Sequence, residues 1–430
     1  MRTDVLARLN RWLRRSGEAS ARPGAVESSG VVESSGVAET SGIVESSGIV
    51  ESSGIVESSG IVESSAAATA APDPLRASLI VPRLVAEPWY VDSVAIDGAR
   101  VSVAGWSMPV VSREPAEGWF TINDRRFDAI RYPLHRQDVA DVFWQRAGSA
   151  ECGFECVAEG LADIYPGGVL EIRRIVPDTP RIELGRDSWF KPDPALHVDL
   201  PDADRRFRVI GDRDPLGFLV SGATDYHRMD RAVSAIAGRR MHEFRRVLDW
   251  GVGCGRVARH FPAAHSSALT GCDIDRDNVE WCRAHLAGTF SPSPLTPPLP
   301  FDDASFDLIY GISVFTHLRE PMQLRWLAEL ARISAPGALL LMTIHGETAI
   351  DFSRLPPHEY RRVREDVRRE GILVSGVNTQ LDGHAEHGGE YVNVYHSIDY
   401  VRRTWGRFFT VLHVLPGYIL HHDLVVLRNA

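Results

Sequence analysis

Residues 245–261 have the sequence RRVLDWGVGCGRVARHF, in which an apolar run leads directly into three glycines spaced two residues apart. The run 245–250 predicts a buried β-strand, and the apolar spacing after the glycines predicts a helix that begins near Arg256. A glycine turn between a strand and a helix lets the backbone approach a ligand closely, because no Cβ atoms stand in the way. The segment therefore predicts an α/β fold with a ligand-binding turn.

The spacing of these glycines differs from that of dinucleotide-binding folds and of P-loops. A dinucleotide fold needs G-x-G-x-x-G, and the position of its last glycine is Arg256; a P-loop needs a following Gly-Lys-Ser/Thr, which is absent. The segment resembles the first motif of class I S-adenosylmethionine (SAM)-dependent methyltransferases, with Asp249, Gly251, Gly253 and Gly255 as its acidic residue and glycines. The resemblance implies that the turn passes under the amino acid and ribose of the cofactor SAM. It also implies that Asp249 faces the ammonium group, directly or through water.

Later segments follow the order of the same family. The run LTGCDID, residues 269–275, ends in carboxylates: the resemblance assigns the ribose hydroxyls to Asp273, and Asp275 is expected to cap the next helix. The runs LPFDDASFDLIYG (299–311) and PGALLLMTIHG (336–346) resemble the fourth and fifth strands of the family. The resemblance thus implies a Rossmann-like, seven-stranded methyltransferase domain over residues 199–430.

The end of this domain and its adenine site are further expectations. Residues 408–414 and 423–427 resemble the antiparallel pair that closes the family's sheet, with a turn predicted at Pro416 and Gly417. The Gly-Asp or Asn pair that often holds adenine in the family is replaced by GTFS at 288–291. In its place, Phe290 is the candidate for stacking on adenine.

Two motifs that would indicate methyl transfer to nitrogen or to a cytosine carbon are absent from the sequence. Residues 311–314 read GISV where amino methyltransferases carry Asn/Asp-Pro-Pro-aromatic, and no Pro-Cys nucleophile of a cytosine-C5 enzyme occurs there. We therefore expect transfer to a hydroxyl, which requires alignment of the reactants and removal of a proton. A histidine suits the proton transfer, since its ordinary pKa lies near neutrality.

Two histidines lie at the predicted carboxyl ends of the fourth and fifth strands, where open α/β sheets place their ligands. His317 and His345 are thus the candidate catalytic bases, with structural roles in a helix cap or a turn as the alternative. Further His, Asp and Glu residues occur at 382–390 and 421–423, but such residues are common in solvated loops and we assign no metal. Residues 347–395 form an insertion that is expected to cover the acceptor pocket, with an arginine-rich helix that either meets an anionic substrate or is a solvated face.

Residues 73–198 have a different pattern. Short apolar runs such as 90–98 and 101–106 alternate with Gly, Pro and Asp, which predicts an antiparallel β-sandwich. The runs 101–106, 136–139 and 152–154 resemble accessory β-sandwich modules attached to sugar-processing transferases. This resemblance implies glycan or partner binding, and a structural spacer is the alternative.

The first 72 residues divide into two parts. Residues 1–18 alternate apolar residues and arginines as in a basic amphipathic helix, which predicts docking on a partner protein or an anionic membrane surface, or packing on the chain itself. Residues 19–72 contain a Glu-Ser-Ser-Gly-Ile-Val repeat. Two turns of a β-helix are too few to bury a face, so the repeat predicts a disordered linker.

Composition limits the remaining classes. The chain has 430 residues, a net charge of −10 and five cysteines without C-x-x-C pairs. These features argue against nucleic acid as a partner and favour a reducing cytoplasm, with peripheral membrane association through the first helix as an addition. No run of about 18 apolar residues and no continuous signal-peptide core occurs.

Together these patterns predict a cytoplasmic SAM-dependent methyltransferase that acts on a hydroxyl. The resemblance of residues 73–198 to modules of sugar transferases favours a saccharide or glycan-related acceptor. The alternatives are another small metabolite, a protein side chain, or a SAM-binding scaffold without turnover.

Overall fold

A computed structural model describes residues 88–109, 120–175, 187–197, 199–379, 381–383 and 391–430. The predicted N-terminal helix (1–18) and the repeat linker (19–72) lie outside the described residues. Among the described residues, none of the helices combines the length and the hydropathy needed to cross a lipid bilayer.

A seven-stranded sheet forms the centre of the second half of the chain, as predicted. Its strands are β9 (Val247–Trp250), β10 (Leu269–Asp273), β11 (Thr289–Pro292), β12 (Phe306–Gly311), β13 (Ser334–Ile344), β16 (Thr410–Ile419) and β17 (His422–Arg428). The spatial order is β11-β10-β9-β12-β13-β17-β16. The first five strands pair in parallel and β17 is antiparallel to both of its neighbours, so the expected closing pair is confirmed.

Alternation along the strands builds a core on each face of this sheet. Val247 contributes to one buried cluster and Leu248 to the other, and Leu339 and Leu340 alternate in the same way on β13. Both faces are apolar because helices cover both, as is usual for a parallel sheet. The strand order reverses between β9 and β12, and this is the position where such sheets bind ligands.

The α-helices within the described residues are α1 (Gln137–Val142), α2 (Ala203–Ile210), α3 (Pro215–Ala237), α4 (Arg276–His285), α5 (Glu320–Ile333), α6 (Glu347–Phe352), α7 (Pro357–Glu370) and α8 (Ile398–Thr404). Helix α4 begins as predicted, because the Asp275 side chain accepts a hydrogen bond from the Asn278 amide. The helix predicted near Arg256 is wrong: one 3-10 turn, Ala258–His260, stands there. Pro262 has no amide hydrogen to continue a helix, and the Arg256 carbonyl packs so closely on Gly222 of α3 that a Cβ there would lie 2.1 Å from it.

The turn of the closing pair also differs from the prediction. Pro416 and Gly417 lie inside β16, where the pairing with β17 is irregular between Leu415 and Ile419. The chain reverses at Leu420 and His421 instead, and Leu420 adopts a φ of 55°. Pro416 and Gly417 lie within the irregular part of the pairing, so β16 continues past them and ends at Ile419.

The insertion between β13 and β16 contains α6, α7, α8 and a two-stranded sheet of β14 (Ile372–Val377) and β15 (Val392–His396). His345, just after β13, forms a parallel bridge with Tyr395. This bridge ties the insertion to the carboxyl edge of the large sheet.

Two four-stranded antiparallel sheets precede this domain, with the orders β1-β2-β6-β5 and β4-β3-β7-β8. Their strands are β1 (Trp89–Asp97), β2 (Arg100–Ser107), β3 (Phe120–Ile122), β4 (Arg125–Arg126), β5 (Ala129–His135), β6 (Glu151–Ala158), β7 (Val169–Arg174) and β8 (Ser188–Pro192). Residues of both sheets share one hydrophobic cluster, in which Phe120 stacks on Phe154 with ring centroids 4.2 Å apart.

These sheets contact the large domain at two places. Thr224 of α3 exchanges hydrogen bonds with the backbone of Phe190 in β8. Arg146 donates to Asp351 of α6 at 2.6 Å, with both side chains largely buried. The second contact attaches the N-terminal sheets to the insertion rather than to the large sheet.

Candidate active site

A cavity of about 880 Å³ opens at the carboxyl ends of β9, β10, β12 and β13. Residues of the glycine turn and the end of β10 line one part of it, and residues of the insertion line the other. We call these parts the cofactor half (Gly251, Gly253, Asp273 and their neighbours) and the acceptor half (His317, His345 and the insertion). The cavity therefore joins the two groups of residues predicted to bind the cofactor and to act on the acceptor.

The glycine turn is held by backbone hydrogen bonds to the neighbouring strand. The amides of Gly251 and Val252 both donate to the Cys272 carbonyl, at 2.8 and 3.1 Å. Gly251 and Gly253 adopt φ values of 84° and 54°, which disfavour side chains. A Cβ on Gly251 would also lie 2.5 Å from the Val314 side chain, so glycine is required on steric grounds as well.

Asp273 lies beside this turn and lines the cavity. One carboxylate oxygen accepts from the Gly253 amide at 2.7 Å, and the other accepts from the Asp275 amide at 2.8 Å. Burial raises the pKa of Asp273 to about 6, although both amide hydrogen bonds favour the charged form. Each carboxylate oxygen retains a lone pair, so the group can accept further hydrogen bonds from hydroxyls in the cavity.

Three predicted cofactor residues lie away from the cavity. Asp249 is 4% exposed beneath the turn; burial raises its pKa to about 7, and the Tyr310 hydroxyl and Arg256 partly offset this effect. Gly255 packs against α4, where a Cβ would lie 2.1 Å from the Leu286 side chain. Phe290 does not reach the cavity.

The position of Phe290 corrects its assignment to adenine. The side chain is 4% exposed and belongs to the core cluster, with its ring against Gly271. The cavity wall next to Asp273 is instead lined by Ile274 and Leu295, which present apolar side chains. Sequence reasoning missed both, although Ile274 directly follows the carboxylate that ends β10.

Arg208 and Asn278 are further lining residues that the sequence did not indicate. Arg208, on α2, forms a buried ion pair with Asp275 at 2.7 Å, and Asp275 also accepts from the Asn278 side chain. The pair fixes α2 over the cofactor half. Because 67 residues separate Arg208 from Asp275, no local pattern reveals this contact.

His317, one of the two candidate bases, lines the acceptor half. Its Nδ1 lies 3.0 Å from the Val392 carbonyl, which requires a proton on Nδ1 and leaves the Nε2 lone pair free to accept. Nε2 lies 3.3 Å from the Ser313 hydroxyl. Burial lowers the pKa of His317 to about 4, partly offset by the bond to Val392, so the ring is neutral at pH 7.

His345 also lines the cavity, and its ring centroid lies 6.2 Å from that of His317. Two histidines from the start of β17 pack beside it: the centroid distances are 5.6 Å to His421 and 4.7 Å to His422. Burial, followed by the charges of neighbouring histidines, lowers the pKa of His345 well below the usual range. His345 is thus part of a histidine cluster and not an isolated residue.

The insertion supplies the rest of the acceptor half. Its apolar lining residues are Leu355, Val363, Leu373, Leu381, Tyr391 and Tyr395. Arg354 and Arg362 stand among them. Two other arginines of α7, Arg364 and Arg368, pair with Glu347, so the arginine-rich helix is partly a structural network.

These features fit SAM in the cofactor half. The turn carries no side chains at its glycines, the Asp273 carboxylate has spare lone pairs beside it, and apolar side chains also line this half. SAM when bound supplies a methyl group on a positively charged sulfur. The acceptor half supplies a neutral imidazole nitrogen that can accept a proton.

Comparisons with known proteins agree with this geometry. Residues 247–337 match the methyltransferase domain family. The phthiotriol/phenolphthiotriol dimycocerosates methyltransferase 1 of Mycobacterium ulcerans is 33% identical over 102 residues, covering 23% of this chain and 37% of that protein. The O-methyltransferase rstn1 of Aspergillus nomiae is 29% identical over 111 residues, covering 24% of this chain and 48% of that protein.

A solved structure, the magnesium protoporphyrin IX methyltransferase of Synechocystis with bound SAH, shows 14% identity and a TM-score of 0.35. It covers 53% of this chain and 94% of its own. The matched region spans less than half the length of the two curated relatives. The family match extends from β9 through the glycine turn to the start of β13, so this part of the chain is similar to a methyltransferase domain.

Proposed function

We propose that this chain transfers the methyl group of SAM to a hydroxyl of a small molecule. The observation that carries the proposal is the continuous cavity between Asp273 and the Nε2 atom of His317. Proteins named as O-methyltransferases or as a methyltransferase of a dimycocerosate match the same domain, which supports a small hydroxylated acceptor. The acceptor half is lined by both apolar and polar side chains, so we expect an acceptor with an apolar body that also carries polar groups.

In this proposal, Asp273 binds the ribose hydroxyls, and Gly251 and Gly253 admit the amino acid part of SAM. Ile274 and Leu295 flank the adenine ring in place of Phe290. Asp249 acts from beneath the turn: its negative charge favours the ammonium group across the loop. SAM held by these residues would supply its methyl group to an acceptor bound in the neighbouring half of the cavity.

In the acceptor half, His317 accepts a hydrogen bond from the acceptor hydroxyl through Nε2. The Val392 carbonyl fixes the tautomer, so Nε2 carries the lone pair, and Ser313, whose hydroxyl lies 3.3 Å from Nε2, lines the same cavity. As the acceptor oxygen bonds to the methyl carbon, the carbon–sulfur bond breaks, its electron pair stays on sulfur, and the hydroxyl proton passes to His317. Alignment supplies most of the rate, since a base with a lowered pKa adds only a modest driving force.

The finer predictions from the sequence remain predictions. A saccharide acceptor stays a prediction, because the acceptor half is lined by polar side chains such as Glu359, Asn378 and Asn393 as well as by apolar ones. The paired antiparallel sheets are, in our proposal, a β-sandwich module that braces the insertion through the ion pair of Arg146 with Asp351. A reducing cytoplasm is consistent with the five buried, unpaired cysteines.

Incubation of the full chain with methyl-labelled SAM and a fractionated host extract tests the proposal. Label should appear in a small-molecule fraction, as an ether stable to mild base, and should depend on His317. Measured SAM binding with no label in the small-molecule, lipid, saccharide or protein fraction would favour the non-catalytic scaffold instead.

A further inference from the structure

A cluster of three histidines stands at the floor of the acceptor half. One ligand nitrogen from each of His345, His421 and His422 lies within 4.8 Å of the others. His421 and His422 have ring centroids 4.2 Å apart, and both contact His345. Among the described residues, this is the group of side chains whose atoms and spacing suit a metal ion.

The pairing of two strands brings these residues together. In the antiparallel register of β13 and β17, Ile344 faces Asp423, so His345 and His422 stand one position beyond this pair on neighbouring strands. His421 belongs to the turn that precedes β17. Two of the three histidines are therefore positioned by paired strands, and strands hold the side chains of a binding site in more exact positions than loops do.

The cluster has a buried, unsatisfied nitrogen. His422 is 7% exposed, and its Nε2 has no hydrogen-bond partner among the described residues. A buried polar atom without a partner is costly, so a native structure usually supplies one.

A carboxylate lies next to the cluster. Asp423 follows His422 directly, is 1% exposed, and lies so close to Gly346 that a Cβ on this glycine would be 1.8 Å from its carboxylate oxygen. Its carboxylate also accepts a hydrogen bond from the Gly417 amide at 2.9 Å.

We propose that His345, His421 and His422 bind one divalent ion of the zinc class, with an open coordination position toward the cavity. Catalytic zinc sites have three protein ligands plus one open position, and three imidazoles are one of the ligand sets that occur. Around zinc the nitrogens stand about 3.3 Å apart, so side-chain shifts of about 1 Å close the site. His345 and His421 line the cavity, whereas His422 lies behind them.

The location gives the ion a role that rests on the proposed function. A hydroxyl bound at the open position has a lowered pKa and gives up its proton more readily. His317, whose ring centroid is 6.2 Å from that of His345, accepts this proton through Nε2. The oxygen then bonds to the methyl carbon while the carbon–sulfur bond breaks and leaves a neutral thioether. The ion would thus supply the activation that a histidine of low pKa lacks.

Zinc titration of the full chain tests the site without SAM. The chain is freed of metal with a chelator and titrated with Zn²⁺ against a chromophoric competitor. We expect one tight equivalent, and a loss of affinity on the order of 100-fold in His422→Ala and His421→Ala. The matched control His265→Ala replaces an exposed histidine outside the cluster and should bind as the parent does.

Two further measurements keep the test decisive. If His422→Ala fails to fold, His422→Gln serves instead, and the spectrum of Co²⁺ in the unmodified chain must show the intense bands of a low-coordinate site. Absence of a tight equivalent, or zinc affinity unchanged by both His422 substitutions, would overturn the site. A metal-loaded chain that transfers no label would contradict the proposed function but leave the metal site standing.

Discussion

The two halves of the cavity are built in different ways. The residues of the cofactor half come mainly from 250–278, at the ends of two adjacent parallel strands, and their partners are backbone groups of the same strands. In the acceptor half, His317 contacts Val392, 75 positions away, and His345 contacts the start of β17. The glycine turn and Asp273 depend on local sequence, whereas the acceptor half depends on long-range packing, as does the Arg208–Asp275 pair at the edge of the cofactor half.

This difference explains why the main residues of the cofactor half can be predicted from sequence motifs, whereas most of those of the acceptor half cannot. A glycine with positive φ and a carboxylate at a strand end leave a local motif, because backbone geometry restricts the residue type. An acceptor site only needs side chains that fit one molecule, and these can come from anywhere in the chain. We therefore expect substitutions in the two halves to separate cofactor affinity from transfer rate.

The largest effect is expected for Asp273→Ala. The variant loses the acceptor of the Gly253 amide and, in our proposal, of two ribose hydroxyls. Charge-assisted hydrogen bonds are worth about 1.5–3 kcal/mol each, so SAM affinity should fall by about 100-fold or more in calorimetry. The control Asp277→Ala, in the exposed first turn of α4, should bind normally. Equal affinity in both variants would remove Asp273 from the cofactor site.

The next effect concerns the acceptor half. His317→Gln should lower the single-turnover rate of label transfer by about 10- to 100-fold, because it removes the proton acceptor at Nε2. SAM affinity should stay unchanged. His358→Gln, whose parent side chain is 80% exposed on α7, is the control. A variant that loses SAM affinity along with rate would show that the two halves are not separable.

The pH dependence of SAM affinity tests the roles of the two buried carboxyls, Asp249 and Asp273, in the cofactor half. The pKa of Asp249 is raised to about 7 and that of Asp273 to about 6, so both carboxyls are partly protonated below pH 7. Cationic SAM prefers their charged forms, hence its affinity should rise by about 10-fold from pH 5.5 to 8, with proton release on binding. Calorimetry in buffers of different ionisation enthalpy measures this release. The effect should shrink in Asp249→Asn.

The Asp249 carboxyl should also make the stability of the folded state depend on pH, but with the opposite sign: stability falls as the pH rises. Because the folded pKa of Asp249 lies above its unfolded value, the folded state holds the extra proton. The contribution of this group to stability is therefore complete below about pH 4 and is lost as the pH rises through 7. A denaturant titration at several pH values, compared with Asp249→Asn, isolates this contribution.

The smallest effect is expected for the glycine turn. Gly251→Ala combines a φ of 84° with a Cβ 2.5 Å from Val314, whereas Gly337→Ala has a φ of 76° and open space around it. Both substitutions should cost roughly 1 kcal/mol of stability through the left-handed backbone, and Gly251→Ala should cost more because its Cβ also meets the Val314 side chain. Only Gly251→Ala should also weaken SAM binding, by about three- to tenfold. Equal SAM affinity in the two variants would show that the turn does not contact the cofactor.

Several particular residues show what sequence reasoning reached and where it failed. The order of strands β9 to β17, the cap at Asp275 and the cavity positions of Gly251, Gly253, Asp273, His317 and His345 followed from local motifs. Phe290 was misplaced because Gly271, on the adjacent strand, leaves space in the core for its ring. The helix expected at Arg256 failed because packing on Gly222 is a tertiary contact.

Hydrogen–deuterium exchange with and without S-adenosylhomocysteine, the demethylated product, tests the central claim that the glycine turn and Asp273 hold the cofactor at one end of the cavity. We predict strong protection of residues 250–255 and 273–278, weaker protection near Leu295, and no change in α7. Protection confined to the insertion, or binding without protection of the glycine turn, would contradict the assignment of the two halves.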